Sequence, residues 1–145
     1  MSLSKIMSTD IVKIDIDDTL SEVRNIFSLV TFHHILVVDN EKLVGVVSDR
    51  DYFKSTTPKL GTSLETERDR SALNIKVHRI MNRRLITIKN SGTIFEAVCA
   101  FHKFKVTCLP VVDEDFKPVG IISWKDIVNL LAHTMIKNRK NTKED

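Results

Sequence analysis

An internal repeat is the feature of this sequence that most restricts its fold. When the chain is aligned with itself at an offset of 74 residues, identical residues recur, and the offset becomes 75 after a one-residue insertion between Glu114 and Phe116. The identical pairs are Ile6/Ile80, Met7/Met81, Ile14/Ile88, Thr19/Thr93, Glu22/Glu96, Phe27/Phe101, Val37/Val111, Val38/Val112, Asp39/Asp113, Val44/Val119, Gly45/Gly120, Ser48/Ser123 and Asp51/Asp126. A unit of about 50 residues is marginally stable alone, so the two copies are expected to pack together.

The hydrophobic pattern within each copy predicts the order strand, helix, strand, strand, helix. Residues 11–14 and 85–88 are predicted to be short strands, and a Thr-x-x-Glu capping box then precedes an apolar stripe at helical spacing. Two apolar runs joined by a short polar turn predict an antiparallel hairpin in each copy, followed by a second helix. The predicted fold class is α+β, with a three-stranded sheet and helices on one of its faces in each repeat.

Charge and turn residues divide the chain into four segments. Residues 1–54 form the first repeat and residues 79–135 the second. Residues 55–78 contain Pro58, Gly61 and a dense run of charges, which predicts a solvated connector with one short helix. Residues 136–145 form a basic C-terminal tail, which is typical of a solvated helix end.

The motif Gly-x-x-Ser-x-x-Asp ends the last strand of each copy and begins the next helix. It occupies residues 45–51 and 120–126, with a cation directly before each aspartate. A helix N-terminus presents unpaired N–H groups and the positive end of the helix dipole, so the junction favours an anion such as phosphate. A capping box would also explain the serine and the aspartate. Because capping leaves the strand glycine and the cation unexplained, the pair of motifs favours ligand binding.

Composition excludes several classes of protein. The chain has 22 basic and 19 acidic residues, and residues 137–145 contribute +2 of the net +3, so the folded body is nearly neutral and no nucleic-acid partner is expected. No apolar run approaches the roughly 18 residues of a transmembrane helix, and no signal peptide is recognisable, which predicts a cytoplasmic protein without a membrane partner. The two cysteines are too few for a disulfide framework or a zinc site, so no metal is expected.

Both copies share an Ile-Met opening, a Val-Val-Asp before the hairpin turn and Gly-x-x-Ser-x-x-Asp at the last junction. In this order they resemble a tandem pair of cystathionine-β-synthase-type (CBS) domains, also called a Bateman module, over about residues 5–54 and 79–135. The resemblance implies that the repeats pack sheet to sheet about a pseudo-twofold axis. It also implies two clefts that bind adenosine-containing ligands such as AMP, ADP, ATP or S-adenosylmethionine. One departure is that the family's proline before Val-Val-Asp is present as Pro110 but is Leu36 in the first copy.

The resemblance also assigns roles to individual residues. The motif aspartate would bind the ribose hydroxyls, the serine and the cation would meet phosphates, and residues of the opposite repeat would hold the base. One predicted cleft combines Ser48, Arg50 and Asp51 with Ile86, Val106, Thr107 and Cys108, and the other combines Ser123, Lys125 and Asp126 with Val12, Phe32, His33 and His34. A histidine facing a phosphate gains a switchable charge, so the cleft of the second motif is predicted to be the better anion site.

The candidates for catalysis or metal binding near these clefts are weak. Cys108 has no recognisable base to activate it, and the adjacent His33 and His34 point to opposite faces of a strand. The sequence therefore predicts a stand-alone regulatory module, not an enzyme, that needs no cofactor and senses an adenosyl ligand.

Output is expected through an effector protein in trans or through a homodimer formed by the helix faces around Leu130, Leu131 and Met135. The alternative is an assembly module that binds no ligand, regulates a partner protein and uses its motifs only to cap helices.

Overall fold

Six strands and five α-helices follow one another in the computed structural model, which describes residues 2–29 and 33–143. The first copy contains β1 (Lys13–Asp15), α1 (Leu20–Leu29), β2 (His34–Asp39), β3 (Lys42–Ser48) and α2 (Asp49–Ser55), and α3 (Glu67–Ser71) follows it. The second copy contains β4 (Ile88–Lys89), α4 (Ile94–Phe104), β5 (Cys108–Val112), β6 (Pro118–Ser123) and α5 (Trp124–Lys143). The predicted α+β class and the order of elements in each repeat are confirmed.

The two copies form separate three-stranded sheets of the same topology. In the orders β1-β2-β3 and β4-β5-β6, the first strand pairs in parallel with the second, and the second pairs antiparallel with the third. The first hairpin turns through Asn40 and Glu41, which both have positive φ, as a two-residue type I′ turn requires.

The departure at Leu36 and Pro110 has a visible effect on these sheets. The Leu36 N–H donates to the Val12 carbonyl at 2.9 Å, so the opening segment of the first copy pairs from residue 13 onward. Pro110 has no N–H to donate. Accordingly β4 pairs only from Ile88, and the strand predicted at 85–88 is shortened to residues 88–89.

The boundaries of the compact units differ from those of the sequence repeats. One unit is Ile11–Leu85, and the other combines residues 1–10 with residues 86–145. In the first unit, Val77 and Met81 are buried with the first sheet, although they lie just before the second repeat's strands. In the other unit, Leu3 is fully buried with the second sheet. The Ile-Met segment before the first repeat therefore packs on the core of the second repeat, and the one before the second repeat packs on the core of the first.

The two motif glycines allow this packing. Asn82 and Val46 exchange two backbone hydrogen bonds, of 2.9 and 3.1 Å, and Ser8 and Ile121 exchange two of 2.9 Å. A Cβ on Gly45 would lie 2.8 Å from Cγ of Met81, and a Cβ on Gly120 would lie 3.0 Å from the Ser8 carbonyl oxygen. The glycines are explained by the approach of another chain segment, which removes one of the two arguments that favoured a ligand over simple capping.

The connector is less solvated than predicted. The connector does contain a short exposed helix, α3, but Leu73 and Ile75 pack against the core and Val77 is fully buried. Their alternate spacing is an apolar pattern that the high charge of the segment obscured. The basic tail continues helix α5 through Lys143.

Substitution of the motif glycines should destabilise the protein, and more so at Gly120. In Gly120→Ala the new methyl group meets Sδ of Met7 at 2.9 Å, which can move, and the carbonyl oxygen of Ser8 at 3.0 Å, which cannot move without disturbing its bonds to Ile121. In Gly45→Ala it meets the flexible Met81 side chain. We expect a loss of about 1–3 kcal/mol in the free energy of unfolding for Gly120→Ala, measured by urea denaturation, and a smaller loss for Gly45→Ala.

A double variant provides the control. Adding Met81→Ala to Gly45→Ala should cost less than the sum of the two single changes, because the side chain that blocks the new methyl group is gone. Additive losses, or a Gly120→Ala protein within about 0.5 kcal/mol of the wild type, would contradict this explanation of the glycines.

Candidate ligand-binding site

The first motif forms a capping box where β3 meets α2. The Ser48 Oγ accepts a hydrogen bond from the Asp51 N–H at 3.1 Å, and Asp51 Oδ2 accepts one from the Ser48 N–H at 2.9 Å. Both side chains are half-buried. The predicted structural role of this pair is therefore present.

The second motif repeats this arrangement where β6 meets α5. Asp126 Oδ2 accepts from the Ser123 N–H at 2.7 Å, and the Asp126 N–H donates to Ser123 Oγ at 3.3 Å. The Ser123 hydroxyl also donates to Asp126 Oδ2 at 3.0 Å. Any ligand bound through the serine and the aspartate would then share these two residues with the cap in both copies.

Capping leaves part of each motif unused. Each cap uses only Oδ2 of its aspartate, and Oδ1 of Asp51 and of Asp126 accepts no hydrogen bond from the described residues. The adjacent Arg50 and Lys125 are exposed and form no ion pair within that part of the chain. A free carboxylate oxygen suits hydroxyl donors and a free cation suits phosphate, which are the groups of a nucleotide.

Each motif lies beside the pre-hairpin residues of its own unit. The Asp49 N–H donates to the His33 carbonyl at 3.0 Å, and the Trp124 N–H donates to the Thr107 carbonyl at 3.2 Å. His34 is the strand partner of Ser48, as Cys108 is of Ser123. The sequence paired these residues with the motif of the opposite repeat, and that pairing stays a prediction.

The registers of the two hairpins could have predicted which residues lie beside each motif. An antiparallel register set by the turn places the first residue of β2 or β5 opposite the last residue of β3 or β6. Each of three other predicted residues packs on the core of the unit to which it belongs. Val12 lies in the unit Ile11–Leu85, and Ile86 and Val106 lie in the unit that contains the second sheet. Phe32 lies outside the described residues.

The histidines influence the charge of the first motif. His33 Nδ1 lies 3.0 Å from Asp49 Oδ2. Burial is the largest single effect on the pKa of Asp49 and would raise it, but hydrogen bonds from His33 and from the Arg50 N–H, with the charges of both histidines, hold it below its ordinary value. Burial also lowers the pKa of His34, against the attraction of Asp49 and Asp51, so His34 is neutral at pH 7.

The two motifs therefore differ in charge. The first turn of α2 contains two carboxylates, Asp49 and Asp51, whereas the first turn of α5 contains only Asp126. The first turn of α5 is therefore less negative than the first turn of α2. The prediction that the second motif forms the better anion site stays a prediction, and His33 contacts Asp49 beside the first motif.

The structure offers little support for a cysteine nucleophile or a metal site among the described residues. Burial raises the pKa of the Cys108 thiol to about 11, which leaves almost no thiolate at neutral pH. Within residues 2–29 and 33–143, no three His, Cys, Asp or Glu side chains are grouped closely enough to hold a metal ion. None of the helices in that part of the chain is long and apolar enough to cross a membrane.

Comparison with proteins of known sequence identifies relatives along most of the chain. A CBS domain-containing protein of Dictyostelium discoideum is 29% identical over 135 residues, which are 92% of this chain and 92% of that protein. The inosine-5′-monophosphate dehydrogenase of Methanocaldococcus jannaschii is 27% identical over 125 residues. That match covers 86% of this chain but only 22% of the enzyme, so some relatives are enzymes in which the similar region is a small part.

Solved structures show the same fold. The CBS domain pair of protein MJ0100, in complex with 5′-methylthioadenosine and S-adenosyl-L-methionine, has a TM-score of 0.71 and 22% identity, and the match covers 90% of this chain and 99% of that one. The cytosolic domain of the Mg²⁺ channel MgtE, in complex with ATP, has a TM-score of 0.72 and 24% identity, over 89% of this chain and 48% of that one.

The family assignment follows from the match to a family model. The model described as CBS domain matches residues 3–56 and again residues 77–133, which together are most of the chain. This protein therefore belongs to the CBS domain family and contains two copies of the domain.

Proposed function

We propose that this protein is a regulatory module that binds adenosine-containing ligands at its two Ser-x-x-Asp motifs. The observation that carries the proposal is that each cap leaves one aspartate oxygen and the preceding cation unpaired among the described residues, in both copies. Structures of the same fold have been solved with ATP, or with 5′-methylthioadenosine and S-adenosyl-L-methionine, which supports this ligand class.

In this proposal each motif binds one adenosyl group. Oδ1 of Asp51 or Asp126 accepts hydrogen bonds from the ribose hydroxyls, while Oδ2 continues to cap the helix. Arg50 or Lys125 pairs with a phosphate where the ligand has one. Capping and binding are then compatible, since they use different oxygens of the same carboxylate.

The charge difference between the motifs leads us to propose different ligand preferences. The second motif, with Lys125 and a single carboxylate in the first helical turn, suits AMP, ADP or ATP. The first motif, with Asp49 and Asp51, suits an adenosyl ligand that lacks phosphate and carries positive charge, such as the sulfonium of S-adenosylmethionine.

We further propose that the module is not catalytic and regulates through assembly or through an effector protein. The exposed apolar residues Trp124, Val128, Leu131 and Met135 follow one another at intervals of four, three and four residues along α5. This spacing places them on one stripe of the helix. A second copy of the chain pairing through this stripe would bury it, and isologous pairing is the commonest way to do so.

Ligand binding should raise the melting temperature in a motif-specific way. At 100 times its dissociation constant, a ligand of the folded state contributes about 2.7 kcal/mol, which shifts melting by several degrees. We expect Asp126→Asn to lose the shift caused by AMP and to keep the shift caused by S-adenosylmethionine, and Asp51→Asn to do the reverse. Asparagine keeps an acceptor for the cap, and the melting temperature without ligand reports any loss of capping.

The outcomes of this scan separate the proposals. If none of AMP, ADP, ATP and S-adenosylmethionine shifts the melting temperature, ligand binding is excluded and only the assembly role remains. Shifts that persist in both asparagine variants would show that the ligand binds elsewhere.

The two cysteines should differ strongly in reactivity. A pKa of about 11 in place of 9.0 lowers the thiolate fraction of Cys108 about 100-fold at pH 8, whereas Cys99 is exposed. Iodoacetamide should therefore alkylate Cys99 first, and the rate at Cys108 should rise tenfold per pH unit up to about pH 11. Peptide mass spectrometry over time measures both rates. Equal rates of labelling of Cys99 and Cys108 at pH 8 would contradict the raised pKa and make Cys108 a candidate nucleophile again.

The apolar stripe of α5 should determine the oligomeric state. Light scattering at micromolar concentration should give twice the chain mass of 16.6 kDa for the wild type and the monomer mass for Leu131→Glu, because a charge would be buried at the interface. Asn129→Glu introduces the same charge on an exposed position away from the stripe, and it should remain dimeric. A monomeric wild type, or equal dissociation of both variants, would exclude this interface.

A further inference from the structure

Residues 70–95 are strongly basic, although the net charge of the whole chain is only +3. Six basic residues and no acidic residue occur in this interval, between Asp69 and Glu96. Three of the six are paired in the structure: Arg70 lies 3.9 Å from Glu65, Lys76 lies 3.5 Å from Asp17, and Lys89 lies 2.8 Å from Glu114. The other three, Arg79, Arg83 and Arg84, are exposed and have no ion pair with any described residue.

These three arginines lie on a firmly anchored turn, which we call the arginine turn (residues 77–84). Val77 and Met81 anchor the turn, because both side chains are buried in the core of the unit Ile11–Leu85. Asn82 holds it to β3 through two backbone hydrogen bonds with Val46. The arginines therefore project from a backbone that is already ordered, and binding through them would require little further ordering of the chain.

Hydrogen bonds within the turn hold the side chain of one arginine and the backbone of another. Arg83 Nη2 donates to the His78 carbonyl at 2.9 Å, which holds its guanidinium against the residue next to Arg79. The Arg84 N–H donates to Asn82 Oδ1 at 3.0 Å, which fixes the backbone at the end of the turn. Three exposed arginines therefore follow one another within six residues of an anchored backbone, and the guanidinium of one of them is held by a hydrogen bond.

The chemistry of this surface favours phosphate groups over other anions. A guanidinium presents a planar fork of donors that matches two phosphate oxygens, and three such groups on one turn suit a ligand with several phosphates. An anionic membrane fits poorly, because the apolar side chains Val77 and Met81 are buried and cannot insert between lipids. The turn contains no Phe, Tyr or Trp and its one imidazole, His78, is half-buried, so contacts to the backbone of the partner would dominate over base stacking.

We propose that the arginine turn binds the sugar-phosphate backbone of a single-stranded nucleic acid, without sequence preference. A flexible single strand can bring successive phosphates to a compact turn, whereas a rigid duplex is better matched by an extended basic stripe. The near-neutral net charge of the chain predicted no nucleic-acid partner, but binding depends on the local density of unpaired cations. The turn adjoins the first motif, because Asn82 bonds to Val46, but the surface contains none of that motif's serine, cation or aspartate.

The test is a fluorescence-anisotropy titration of a labelled 20-nucleotide single-stranded DNA of mixed sequence with the full chain. With about three phosphate contacts and a slope of about −0.7 per contact, affinity should fall about 80-fold between 25 and 200 mM salt. The triple variant Arg79→Gln, Arg83→Gln, Arg84→Gln should bind at least about tenfold more weakly at 25 mM salt and lose most of the salt dependence.

The three paired cations provide a control with the same change in net charge. Arg70→Gln, Lys76→Gln, Lys89→Gln also removes three positive charges, but from groups already neutralised by carboxylates, and its affinity should stay within about twofold of the wild type. Thermal unfolding of both triple variants verifies that they are folded.

Four results would overturn the proposal. They are no binding at 25 mM salt, equal weakening in the two triple variants, displacement of the DNA by saturating AMP or ATP, and competition by poly-glutamate as strong as by unlabelled DNA at equal charge. The third would assign the arginines to the nucleotide site, and the fourth would indicate an acidic protein as the partner. Failure of adenosyl ligands to bind the motifs would leave this result unaffected.

Discussion

Both units depend on the close approach of an Ile-Met segment to the glycine of a Gly-x-x-Ser-x-x-Asp motif. The paired backbones of Asn82 and Val46, and of Ser8 and Ile121, bring buried apolar side chains onto a sheet that would otherwise be incomplete. No side chain larger than hydrogen fits at Gly45 or Gly120 without displacing a neighbour. Because each segment completes the repeat that does not follow it, neither repeat has its full core when taken alone, in keeping with the marginal stability of so short a unit.

The serine and aspartate of each motif then act on the helix that follows. One oxygen of Asp51 or Asp126 caps the first turn, and this bond also fixes the direction of the carboxylate. The remaining oxygen is oriented without any ligand, so binding requires no rearrangement of the aspartate. In the proposed function the structural and ligand-binding roles of these residues would be complementary, because the cap that stabilises the helix also orients the free oxygen.

Much of the fold follows from the sequence because local rules agree with one another. The repeat, the capping boxes at Ser48 and Thr93 and the hairpin turns each predict the elements that are observed. What the sequence could not provide are relations between distant segments. The glycines suggested a ligand until Met81 and Ser8 were located beside them, and Val77 lies in a segment whose charge suggested solvent. Likewise the contact of His33 with Asp49 joins residues 16 positions apart, which periodicity alone does not reveal.

The central claim is that the uncapped aspartate oxygens bind the ribose of an adenosyl ligand. A crystal structure of the protein grown with AMP tests it most directly, because it locates the ribose relative to both motifs. The account predicts AMP at the second motif, with a ribose hydroxyl within hydrogen-bonding distance of Asp126 Oδ1 and the phosphate near Lys125. AMP bound away from both aspartates, or bound with the Ser123–Asp126 cap broken, would contradict it.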